Sequence, residues 1–201
     1  MLKKIKSFYT ENMKLIHKFL LNQVAISIFG FTVILATSAL SPTAMMISTV
    51  FASLFFVSLL YDSAWEEGER DRNRILNGRL EKRPLHGMKV ALFAYIPTFL
   101  FVIPAFILTL FAVFGIRFWR PVLMVCTAVS LFVCNGMYLG FSNALAGVFP
   151  TGYVLFTPLF LIPGILAYTL GYYLGIKDIQ LKTFIGMKPT TGSPEKKKKR
   201  K

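Results

Sequence analysis

With 201 residues, 55% of them hydrophobic and 20 of them phenylalanine, the chain has too little polar surface to close a soluble domain. Its formal net charge of +14 lies at the ends of apolar runs and in one tail, with no groove of interleaved aromatics. That pattern excludes nucleic acid as the natural partner and fits membrane topology and anionic lipid headgroups.

Uninterrupted apolar runs near the ~20 residues needed to cross hydrocarbon recur several times. The fold class is therefore all-α, a polytopic transmembrane helix bundle of four to six membrane segments. A β-barrel is disfavoured because the runs do not alternate with period two. Cys126 and Cys134 lie inside one apolar run, with no CxxC and no nearby His, and read as packing residues. No cleavable leader is expected, since the first apolar run begins late and is too long for an h-region.

Residues 1–18 interleave Lys3, Lys4, Lys6, Lys14 and Lys18 with Leu2, Ile5, Phe8, Leu15 and Ile16. This spacing predicts a basic amphipathic segment lying on the cytosolic leaflet. Thr10 is a candidate N-cap for a helix leading into the membrane domain, residues 19–175. Its segments are expected near 19–40, 43–61, 90–116, 121–150 and 153–174, with a charged cytosolic loop at 62–89. Asn22 and Gln23, near the start of the first span, suggest an interhelical hydrogen bond. Pro97 and Pro104 should kink or tilt the third span, and Arg117 to Arg120 read as an interfacial girdle on the far side. The tail, 176–201, ends in KKKKRK and is disordered by composition at its end.

An inside amino terminus and an inside basic tail require an even number of crossings, whereas hydropathy counts five. The segment 121–150 resolves the conflict as a re-entrant hairpin bending near Asn135-Gly136, with limbs of roughly 22 Å against a ~30 Å core. Five full crossings with an external tail is the alternative. Ser130, Asn135, Tyr138 and Asn143 make this hairpin a candidate polar intramembrane site. Gly136 and Gly140, like Gly171 and Gly175, have the GxxxG spacing of close helix packing.

The loop 62–89 is the other candidate site. Ser63-Ala-Trp-Glu66 fits a capping box, predicting a fresh helix there. Glu66 with Arg70, Glu69 with Arg72 and Asp71 with Arg74 are spaced to pair along it. Asn77-Gly78 predicts a two-residue hairpin turn. Trp65, Glu66, Glu69, Asp71, Arg72, Asn73, Arg74 and Arg79 form the candidate surface for a partner protein or anionic headgroup. No metal-binding, cofactor-binding or catalytic motif is present; the loop lacks paired NDxxD-type aspartates, and His17 and His86 read as solitary and interfacial.

At WEEGERDRNRILNGR, NGMYLG and GYYLGIK the chain resembles a family of small bacterial polytopic membrane proteins without assigned function. The resemblance implies a cytoplasmic-membrane protein and carries over no site residue. The leading expectation is a non-catalytic membrane component that docks a partner protein or anionic lipid headgroups through 62–89 while its helices pack with another membrane protein. In size, basicity and crossing number the chain also resembles the substrate-specificity subunits of energy-coupling-factor importers, which would place a small ligand near Asn135. A lipid-headgroup enzyme using Glu66, Asp71 and Arg72 is the third expectation.

Overall fold

The computed structural model describes residues 2–81, 83, 85–115, 120–150 and 153–179. The chain is a helical membrane bundle, with no strand among the described residues. Among the described residues four helices are long and apolar enough to cross a bilayer: Ile5–Ser38, Pro42–Leu76, Ile96–Val113 and Val154–Ile176. Their outward faces are studded with exposed apolar side chains such as Leu21, Phe51, Leu100 and Leu166, which only lipid can solvate.

Helix α1, Leu2–Ser38, runs unbroken for 37 residues, about 55 Å against a ~30 Å hydrocarbon core. The amino-terminal segment therefore does not lie flat. It continues the first span straight outward, because Phe8, Asn12, Leu15, Ile16 and Phe19 keep one stripe packed against protein. Thr10 caps nothing; its hydroxyl donates to the Lys6 carbonyl one turn back.

Helix α2, Pro42–Leu76, is as continuous. Its start is set by Ser41, whose side chain accepts from the Ala44 amide, and by Pro42 in the first turn. The helix predicted to begin at Ser63 does not exist as a separate element, since Ser63 lies mid-helix. The buried stripe Phe56, Leu60, Ala64, Gly68, Asp71 carries the helical period straight through the charged stretch. At the other end Gly78 takes φ +67°. The Arg79 amide bonds the Arg74 carbonyl and the Gly78 amide bonds the Ile75 carbonyl, a Schellman stop. Asn77 has φ −86°, so the predicted hairpin is replaced by a helix terminus.

The third span is divided. Helix α3, His86–Ala94, gives way at Tyr95 to α4, Ile96–Val113, because Pro97 has no amide to bond the Phe93 carbonyl. The expected girdle at Arg117 and Trp119, and the tail beyond Ile179, lie outside the described residues.

Helix α5, Arg120–Ala128, passes through a π-helical turn, Val129–Cys134, and Asn135 into a 3-10 turn, Gly136–Tyr138, and then α6, Leu139–Val148. The two limbs meet at 91°. The first limb enters beside the far end of α4, where Leu123 and Thr127 share a cavity with Thr109 and Ala112. The bend reaches α1 at Gln23 and Ser27. The second limb leaves along Thr49 and Met45, near the α1–α2 turn. Both limbs thus open at the same end of the bundle, as in a re-entrant pair; counted as one span, the pair would make a fifth candidate crossing among the described residues.

A 3-10 segment, Tyr153–Leu161, then continues into α7, Ile162–Ile176. Helix α7 makes its largest interface with α2. A Cβ on Gly171 would lie 2.5 Å from the Tyr61 carbonyl oxygen, one on Gly175 2.3 Å from that of Trp65, and one on Gly68 2.3 Å from that of Tyr172. Ala64 and Gly68 on α2 therefore face Gly171 and Gly175 on α7 as two small-residue pairs, which lets the backbones touch.

Candidate functional site

The extensions of α1 and α2 beyond the apolar zone, with Leu80 and Arg83 after α2 and His86 at the start of α3, line a polar crevice of about 270 Å³. Its floor consists of charged and polar groups that are almost fully buried: Asp71 is 4% exposed, His86 7% and Glu67 8%. Asp71 is held from two sides. The Tyr172 hydroxyl donates to Oδ2 at 2.9 Å and Arg74 Nη1 to Oδ1 at 3.0 Å. Glu67 takes Arg70 Nη1 at 3.3 Å, and Glu11 on α1 ties Arg83 across the mouth at 3.1 Å. The His86 ring lies between Phe8 and Tyr172, with centroids 5.7 and 5.3 Å away.

Burial decides the titration of Glu67 and His86. Desolvation, then the neighbouring Asp71 charge, push the Glu67 carboxyl above its ordinary range, against the guanidiniums of Arg70 and Arg74. Desolvation pulls the His86 imidazole below its ordinary range although Asp71 opposes it. Folding therefore shifts both groups toward their neutral forms. Linkage gives these opposite signs. The His86 contribution is full above pH 6.5 and is lost as pH falls below that value. The Glu67 contribution is full below pH 4.5 and is lost as pH rises through the raised folded value. Glu67→Gln should accordingly raise the thermal midpoint at pH 7.5, with the gain shrinking toward pH 4.5. Midpoints of both proteins across that range test this, and a gain independent of pH would contradict it.

Of the residues singled out in the loop, Asp71 and Arg74 reach the crevice. The others point elsewhere. Glu66 meets Lys18 at 3.7 Å instead of Arg70, and Arg72 pairs with Asp178 instead of Glu69. Trp65 Nε1 donates to the Ile179 carbonyl at 2.9 Å, while Asn73 and Arg79 face solvent and Glu69 is half-buried. Glu66, Asp71 and Arg72 therefore engage separate partners and do not converge on one reacting centre. His86, read from sequence as interfacial, is instead part of the floor. Glu11, Asn12 and Tyr172 also belong to the crevice. The available signal was the period of α2, which places 60, 64, 67 and 71 on one face.

At the re-entrant bend Gln23 Nε2 donates to Thr98 Oγ1 at 3.0 Å and to the Cys134 carbonyl at 3.1 Å. Ser27 Oγ accepts from the Gly136 amide at 2.5 Å. A Cβ on Gly136 would fall 2.3 Å from the Ser27 carbonyl oxygen, and one on Gly140 would collide with Thr49. Asn135 Nδ2 donates to the Ser130 carbonyl at 3.0 Å, and Tyr138 stacks on Phe160 with centroids 5.1 Å apart. Ser130, Asn135 and Tyr138 are thus buried at the bend. Asn143 is exposed one helical turn beyond, against the Met45 sulfur. These contacts satisfy carbonyls that a broken helix frees, as hydrocarbon requires.

Among the described residues no group of three or more His, Cys, Asp or Glu is arranged to hold a metal ion. No family model, no curated protein and no solved structure matches the chain.

Proposed function

We propose that this protein is a non-catalytic component of the cytoplasmic membrane whose crevice docks an acidic segment of a cytosolic partner protein. The observation that carries this is the division of charge. The carboxylates of Glu67 and Asp71 are spent at the buried floor, while the side chains of Arg70 and Arg74 are 64% and 58% exposed at the rim. Lys14 and Arg83 are exposed beside them. An exposed guanidinium fork is suited to a carboxylate.

The positive-inside rule assigns this end to the cytosol. Among the described residues, Arg120 is the one charged residue at the opposite end. Depth favours a protein over lipid headgroups. Residues 67–74 lie six to thirteen positions past Tyr61, about 9–20 Å along the helix. The headgroup layer is only about 5–8 Å thick on each side. Anionic headgroups instead suit Lys18, closer to the apolar zone, and the basic tail.

A fluorescent glutamate-rich peptide should bind the protein in nanodiscs of zwitterionic lipid, more weakly as salt rises. Arg70→Gln with Arg74→Gln should weaken it about tenfold, because the pair of changes removes two charge-assisted hydrogen bonds at a solvated rim. Unchanged peptide binding by the double variant would remove the docking reading. Binding of anionic lipid at this crevice without peptide binding would replace it with headgroup recognition.

A further inference from the structure

Three ion pairs border the crevice among the described residues, and they are not alike. Arg70–Glu67 and Arg74–Asp71 each join residues three apart on α2, and their carboxylate side chains are 11% and 6% exposed. Leaving a buried carboxylate unpaired is costly, so these two guanidiniums are held against exchange. The third pair joins two elements. Arg83, between α2 and α3, donates from Nη1 to Oε1 of Glu11 on α1 at 3.1 Å. The two side chains are 46% and 54% exposed. Water can replace either partner there, so this pair is weak and open to competition.

Glu11 thus presents to a rim guanidinium the same group that an acidic segment of a partner would bring. The crevice, at about 270 Å³, is smaller than the roughly 300–1,000 Å³ of small-molecule sites and suits a side chain. Arg83 is anchored there independently of Glu11, because its carbonyl accepts from the His86 amide at 3.0 Å. Arg70 and Arg74 keep further N–H donors after bonding Glu67 and Asp71, since a guanidinium carries five. They can attract a carboxylate without releasing their own. Arg83 differs because the carboxylate it holds is exposed and comes from another element.

We infer that Glu11 is an internal stand-in for the partner's carboxylate: it occupies Arg83 in the free protein, and an acidic segment docks by displacing it. This rests on the docking reading above and adds the residue that limits its strength. An exposed ion pair opposes a competitor by about two- to fivefold, so Glu11 weakens docking by that factor.

The fluorescent glutamate-rich peptide, titrated at low salt against the full chain in zwitterionic nanodiscs, tests this with Glu11→Gln, Arg83→Gln and the double variant. Glu11→Gln should tighten binding about threefold. In the Arg83→Gln background the same change should do nothing, because the stand-in then has no guanidinium to occupy. Both side chains are about half exposed, so neither change threatens the fold. Equal tightening in the two backgrounds would overturn the inference, since removing any negative charge nearby would do as much. Where Arg83→Gln binds too weakly to measure, Glu66→Gln is the control. It removes the same charge from the pair with Lys18, outside the crevice, and tightening equal to that of Glu11→Gln would likewise overturn the inference. Peptide binding by the unaltered protein that does not respond to Glu11→Gln removes this inference alone, whereas no binding by any of the proteins removes the docking reading as well.

Discussion

Replacing Gly175 by alanine should lower the thermal midpoint of the detergent-solubilised protein, whereas the same change at Gly147 should raise it slightly. At Gly175 the new methyl would meet the Trp65 carbonyl oxygen at 2.3 Å and the Gly68 Cα at 3.0 Å. Both are backbone atoms of a helix that cannot yield without moving as a body. The expected cost is that of overpacking, about 1–3 kcal/mol. Gly147 has nothing within 4 Å of a built Cβ and lies inside α6, so alanine there only restricts the unfolded chain, a gain of about 0.4–1 kcal/mol. Fluorescence-detected size-exclusion after heating reads both variants side by side. Equal midpoints for the two would contradict close α2–α7 packing.

The Asp71–Tyr172 bond should be the second large contributor. Tyr172→Phe leaves a carboxylate oxygen without its donor in a site that is 4% exposed, which costs about 1–3 kcal/mol. Asp71→Ala strands the tyrosine hydroxyl and removes the partner of Arg74. The double variant strands neither half, so its loss should be smaller than the sum of the two by about 1–2 kcal/mol. Arg74→Gln serves as the contrast. Its guanidinium side chain is 58% exposed, so water can replace it at the Asp71 carboxylate and its loss should cost less than that of the buried Tyr172 hydroxyl. Unfolding in denaturant, followed by tyrosine and tryptophan fluorescence, supplies the four corners of the cycle. Strict additivity would mean that the two side chains do not depend on each other.

These two sites explain what was legible and what was not. Gly171 and Gly175 announce themselves by spacing in α7, yet their partner Gly68 is hidden inside GluGluGlyGluArg, where a lone glycine looks like a loop residue. The capping box at Ser63 is a correct local signal outweighed by packing. Sequence around Ser63 favours a helix start, but Leu60, Ala64 and Gly68 bury one continuous face on α7, and that burial keeps the helix from ending. The same continuity carries Glu67 and Asp71 inward. A charged run is expected to be solvated, and here one face of it is not, because Tyr172, Arg70 and Arg74 supply the partners that burial demands.

The re-entrant pair illustrates the opposite case. Its position and its bend at Asn135 follow from an odd count of apolar runs set against an even requirement of charge. What holds the bend at that depth, Gln23 and Ser27 on α1, is over a hundred residues away in the chain.

Sequence by itself determined that this protein lives in a membrane, which of its ends is basic and where the chain bends. Those properties follow from hydropathy, charge and backbone chemistry, each read within a few neighbouring residues. Only the tertiary structure decided that α1 and α2 project unbroken past the hydrocarbon and that Glu67, Asp71 and His86 share one floor. Those arrangements depend on which helix faces meet, and contact between residues distant in the chain leaves no local mark.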